Sequence, residues 1–286
     1  MVDRRLSVLD RRRLVGRWCP VGRWCPVGRW CPVGRWWLVG VCLASLAAAC
    51  DLPPPATPGG ALHGRVVAPT DGALARDGVV EILLDDLLEP RSLIGADASL
   101  ESGERELGVG LAFDPVTRVL VADPTARLLD PDLDYRLRVE GPRSFEGASL
   151  QPLEVPLRVT RALASPPPAP RYDEVLGVLE GCRTCHEGAA AALGLDVTDL
   201  AGTAIGVAAL EVRAASFGRG LGGLQRIEPG HPERSYLIYK MLGEGPIVGA
   251  PMGGADAPDV PLSRASIAIV SRWIAAGAQV PPREQP

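Results

Sequence analysis

Apolar and charged residues alternate along Tyr135-Arg136-Leu137-Arg138-Val139, and a period of two predicts a strand with one buried face. Further short runs rich in Val, Leu and Ile read as strands: Gly64-Ala68, Val79-Leu84, Leu107-Phe113, Val119-Val121 and Leu153-Val159. Turn signals separate them, among them Asp71-Gly72, Asp77-Gly78, Asp114-Pro115, Asp123-Pro124 and Asp130-Pro131. Short strands punctuated in this way predict a β-sandwich. From Arg171 the period changes. Tyr172, Val175, Leu176 and Leu179 share one face of a helix. A second helix is expected from Pro232 to Leu242, with proline in its first turn. A third has Ser263 as cap, an apolar face of Ile267, Val270, Trp273 and Ile274, and Gly277 at its end.

Proline divides these regions. Asp51–Gly60 (DLPPPATPGG) and Ala162–Arg171 (ALASPPPAPR) read as extended, semi-rigid connectors. The expected organisation is a leader at 1–50, a tether at 51–61, a sandwich at 62–161, a linker at 162–170 and a helical domain at 171–286. In the leader, the uncharged apolar stretch Trp36–Ala49 follows Arg35, is short for a membrane span and ends in small residues, as a signal peptide does. Upstream, Val-Gly-Arg-Trp-Cys-Pro occurs three times, from residues 15, 21 and 27. So few short copies cannot bury a core. A true start near Val33 would leave a short leader with one arginine, an expectation that peptides from upstream of Val33 would overturn.

Net charge is −4, with 30 Lys and Arg against 34 Asp and Glu, which argues against nucleic-acid binding. Beyond Cys50 the only cysteines are Cys182 and Cys185, so no disulfide framework is expected. They stand in Cys182-Arg183-Thr184-Cys185-His186, a C-x-x-C-H pattern. Two thiols at this spacing can add to the two vinyl groups of one porphyrin, and the adjacent imidazole can take an axial position on its iron. A redox dithiol or half a zinc site are the competing readings. Zinc would need further soft ligands, and a dithiol would need a βαβ context, whereas the following text is Gly/Ala-rich.

Three resemblances extend this reading. Leu46-Ala47-Ala48-Ala49-Cys50 resembles a bacterial lipobox, although the third residue before the cysteine is Ala47 where leucine is usual. It implies lipidation of Cys50. The middle of the chain resembles bacterial Ig-like domains. The carrying residues are Ala68-Pro69-Thr70-Asp71-Gly72-Ala73, Leu88-Glu89-Pro90-Arg91-Ser92-Leu93, Leu128–Leu137 and Phe145-Glu146-Gly147-Ala148-Ser149-Leu150. Residues 171–281 resemble cytochrome c-like domains, on Gly181–His186, Ile227–Leu237, Pro251-Met252 and Ser271–Ala278, in that order.

The cytochrome resemblance implies a sixth ligand from a methionine in a Gly/Pro loop before the last helix. Gly249-Ala250-Pro251-Met252-Gly253-Gly254 is such a loop, 66 positions after His186, though here proline precedes the methionine where the family has it following. Met241 and His231 are the rival ligands, the first expected in the core and the second on the surface. The expected fold class is therefore multidomain, an all-β Ig-like sandwich followed by an all-α cytochrome c-like domain.

The expected function is that of a membrane-anchored mono-haem c-type cytochrome, carrying single electrons and catalysing nothing by itself. Cys182, Cys185, His186 and Met252 would bind one covalent haem c, with His186 and Met252 on the iron. Cys50 would hold the chain in the cell envelope, facing the periplasm or cell surface, near a redox partner protein. No small-molecule substrate is evident. The alternative is a haem-based sensory or surface-interaction lipoprotein. A di-haem peroxidase would need a second C-x-x-C-H, which the chain lacks.

Overall fold

A computed structural model describes residues 60–124, 128–131, 133–209, 223–245, 247–254 and 257–282. The leader, its hexapeptide copies, Cys50 and almost all of the proline-rich tether lie outside the described residues.

Two large sheets form first in the chain. One contains β1 (Gly64–Ala68), β3 (Val80–Leu84), β7 (Val119–Asp123) and β6 (Gly110–Asp114), in the spatial order β1-β3-β7-β6. The other contains β2 (Ala73–Leu74), β9 (Leu153–Val159), β8 (Asp134–Glu140), β4 (Asp97–Ser102) and β5 (Arg105–Gly108), in the order β2-β9-β8-β4-β5. All pairings are antiparallel except β2 with β9. Strand β8 buries Tyr135, Leu137 and Val139 and exposes the charged residues between them, because alternate side chains point to opposite faces. Register follows: Leu137 lies opposite Val155 on one side and Leu100 on the other. These side chains meet Ile82, Phe113 and Leu120 of the first sheet in one apolar core. The Tyr135 hydroxyl accepts the Asp130 N–H at 3.1 Å and closes the corner that starts β8.

The second half builds α1 (Tyr172–Leu179), α2 (Leu200–Thr203), α3 (Tyr236–Leu242) and α4 (Arg264–Ala275). Helix α1 starts where the Glu174 carboxylate accepts the Arg171 N–H at 2.7 Å. Helix α4 starts at Ser263, whose hydroxyl accepts the Ser266 N–H at 3.1 Å. Tyr172 and Trp273 pack ring against ring across α1 and α4, 5.9 Å apart. Val175, Leu179, Ile238, Met241, Val270 and Trp273 belong to a second core.

This half is not all-α, which corrects the expected fold class. Of the four α-helices among the described residues, α4 has 12 residues and the others 8, 4 and 7. A two-stranded sheet of β10 (Gly253–Gly254) and β11 (Ala257–Pro261) precedes α4. Isolated bridges join Ile205 to Ile227, Ala208 to Gln225 and Gln225 to Ser235. With two large sheets before it, the chain is predominantly β or mixed α and β. The reason is local. Gly206, Gly230, Gly243 and Gly249 take positive φ, and Pro229 and Pro232 stand close before α3, which keeps the described helices next to them short.

The described residues form one compact unit. Val116, in the loop between β6 and β7, is buried in the second core, not the first. The Ser271 hydroxyl donates to Asp114 at 2.6 Å, and Arg264 donates to the Val116 carbonyl at 2.8 Å. Phe145 meets Tyr239 edge to face at 5.8 Å.

Candidate functional site

Helix α1 runs directly into a 3-10 turn over Glu180–Thr184, which carries the first cysteine of the motif. Buried Val175 and Leu179 anchor the helix and so fix where the turn emerges. Cys182 is buried and Cys185 exposed, both as free thiols. The Cys182 carbonyl accepts the N–H of Cys185 at 3.2 Å and that of His186 at 3.0 Å, which holds the motif in a tight coil. Burial, and then the neighbouring Cys185, push the Cys182 thiol above its ordinary value, so it is protonated at neutral pH. Arg183 forms ion pairs with Glu180 at 3.0 Å and Glu187 at 2.6 Å across the outer face of the turn.

His186 has a defined tautomer. Its Nδ1 lies 3.3 Å from the Leu195 carbonyl oxygen, which can only accept. Nδ1 is therefore the donor, and in the tautomer this selects the lone pair lies on Nε2. A backbone carbonyl behind the ring is the usual device for orienting a ligating imidazole. The acceptor is itself braced. Buried Arg226 donates to the carbonyls of Leu193, Gly194 (3.0 Å) and Thr203 (2.8 Å), which holds the segment that ends at Leu195.

His186 and Met252 line one cavity of about 80 Å³. Leu195, Tyr236, Leu237 and Val248 supply most of its remaining wall, with Lys240 and Arg226 at its polar side. The structure thus brings together the two residues expected on the iron. The donor set, an oriented imidazole and a thioether in an apolar enclosure, fits a haem iron, whereas Cys182 and Cys185 do not line this cavity. The cavity is smaller than the roughly 300 Å³ at which pockets for whole ligands begin. A macrocycle therefore needs part of the wall to yield, and the flanking residues 192–194 and 249–251 are exposed.

The rival ligands lie elsewhere. Met241 is fully buried in the second core. His231 sits at the start of a 3-10 turn, its Nδ1 3.0 Å from the Glu233 carboxylate. Neither lines the cavity. Among the described residues, no three His, Cys, Asp or Glu side chains gather as a metal cluster. A zinc site closed by protein ligands around Cys182 and Cys185 thus has no partners among them. No helix among the described residues is long and apolar enough to cross a membrane.

Sequence reasoning missed Lys240, Arg226 and Leu195. Arg226 and Lys240 are revealed by side-chain hydrogen bonds to backbone carbonyls, and Leu195 by the contact of its carbonyl with the His186 ring. No family model matches the chain, and no curated protein matches it. The resemblances to Ig-like and cytochrome c-like domains rest on the sequence motifs alone.

Proposed function

We propose that this chain is an envelope electron carrier, in which Cys182 and Cys185 would hold one covalent haem c and His186 and Met252 would ligate its iron. The observation that carries the reading is the shared cavity. A C-x-x-C-H histidine and a methionine 66 positions away line the same apolar space, and the histidine has its Nε2 lone pair available. Each cysteine thiol would add across one vinyl group, sulfur to one carbon and hydrogen to the other. When bound, the haem would supply a one-electron Fe(III)/Fe(II) couple. The chain's own residues do the rest. His186 is oriented by Leu195, the apolar wall excludes water, and Met252 offers a neutral sulfur that favours the reduced iron. Lipidation at Cys50 would keep the carrier at a membrane surface beside its redox partner proteins. The expected activity requires no substrate pocket.

The test is the mass of the peptide spanning Cys182 to His186, from protein exported in a host that matures c-type haem. The expected mass includes one haem. An unmodified peptide, beside a control cytochrome that is fully matured, overturns the proposal.

A further inference from the structure

The loop that presents Met252 is fastened to helix α3 mainly by one residue. The Lys240 backbone carbonyl accepts the Met252 N–H at 2.8 Å. The same residue's ammonium donates to the Val248 carbonyl at 2.9 Å and to the Ala250 carbonyl. Lys240 therefore grips the loop at three points, two before the methionine and one at its own amide. A neighbouring bond completes the attachment. The Val248 N–H donates to the Tyr236 hydroxyl at 2.9 Å, one turn earlier on α3. Between these points Gly249 takes a φ of 71°, and Gly253 and Gly254 follow Met252, so the backbone here has little stiffness of its own.

We infer that Lys240 is a positioning residue that holds the Met252 thioether toward the site faced by His186. This rests on the haem reading above. A thioether is a neutral, weakly held ligand, so its occupancy depends on how much of its ordering is done before binding. An ammonium donating to two carbonyls of the loop does that ordering without touching the iron. Lys240 also lines the cavity, which places the clamp beside the sulfur it positions. Its side chain has no role in the apolar core of α3, where Leu237, Ile238, Met241 and Leu242 face inward. Methionine in its place keeps the aliphatic stem and nearly the same helix propensity.

Two measurements on the full chain test the role. In protein without haem, Lys240→Met should speed hydrogen exchange of the Met252 amide at least tenfold, and Lys240→Arg should restore most of the protection. In haem-loaded protein, Lys240→Met should weaken the sulfur-to-iron charge-transfer band of the oxidised form. It should also raise the affinity of the reduced form for carbon monoxide at least tenfold, with Lys240→Arg close to wild type. Haem-loaded wild type and Lys240→Met with the same band and the same carbon monoxide affinity would overturn the positioning role and leave the haem reading intact. Unchanged exchange in the haem-free variant would overturn the clamp itself. Wild-type protein that matures without haem removes the functional reading and the ligand-positioning role together, even where the exchange result holds.

Discussion

Glu233 shows what burial does to a single carboxyl group. It is 2% exposed, in the 3-10 turn before α3, and burial raises its pKa above the ordinary carboxylate value of 4.5. The titratable groups around it are His231 on the same turn and Tyr239 on α3, and the backbone of Phe113 on β6 also bonds to it. His231 works against the shift, yet its side chain is 43% exposed and its ion pair is correspondingly weak. The folded state thus holds the proton more tightly than the unfolded chain. The stability this contributes is complete below about pH 4.5 and is lost as pH rises through the folded-state value. Glu233→Gln mimics the protonated form. Thermal unfolding should find it at least as stable as wild type at neutral pH, with the advantage disappearing near pH 4. A variant much less stable than wild type at neutral pH would show the charged form to be the favoured one. At this scale the sequence discloses residues whose chemistry is written locally. Cys182, Cys185 and His186 form a motif, and Met252 stands in a Gly/Pro loop. Glu233, Arg226 and Lys240 were not legible, because their roles come from burial or from bonds across the fold. Arg226, for example, braces carbonyls 23 to 33 positions away.

Elements with a clean internal pattern were read well, and those defined by their neighbours were not. Strands β1 and β9 and the core face of α4 follow directly from their residues. Strand β4, Asp97–Ser102 (DASLES), carries no β-branched or aromatic residue, yet it pairs with both β8 and β5. The run Leu107–Phe113 reads as one strand. In the fold it is split between β5, which pairs with β4, and β6, which pairs with β7 in the other sheet. An unbroken apolar run gives no sign of where a chain leaves one sheet for another. The all-α expectation erred in a related way, by resting on three helices and passing over the stretches between them, where β10 pairs with β11 and isolated bridges join Ile205 to Ile227 and Gln225 to Ser235. The cap of α4 is local and testable. Removing its hydroxyl by Ser263→Ala leaves the Ser266 N–H without that acceptor, and should cost about 1 kcal/mol. Urea denaturation measures this, and an unchanged midpoint and slope would show that the cap contributes nothing.

Over the whole described chain, the sheets and the helices share their buried surface. Val116 reaches from the β6–β7 loop into the second core, and Asp114 holds Ser271 on α4. Arg118 pairs with Glu244 at 3.3 Å, and Glu244 also pairs with Arg264. Nothing in the local pattern of residues 110–123 announced these contacts, since that stretch reads as a plain pair of strands. The expected consequence is cooperative unfolding. In a chain starting at Cys50, Trp273 is the sole tryptophan and reports on the helices, while the β-sheet component of the infrared amide I band reports on the sheets. The two signals should change together on heating. Separated transitions would mean that the shared contacts are too weak to couple the halves.

The placement of Val116 also bears on how such a chain could be recombined. The proline-rich stretch at 162–170 looks like a seam at which the piece with the helices and the C-x-x-C-H motif could be cut out and fused elsewhere. A piece taken there would leave behind a side chain that its own interior is shaped around, with Ser271 and Arg264 deprived of Asp114 and the Val116 carbonyl. A transplant that works must bring along the β6–β7 hairpin, or a host that offers an equivalent wedge. The unit of inheritance is then wider than the motif that makes it recognisable.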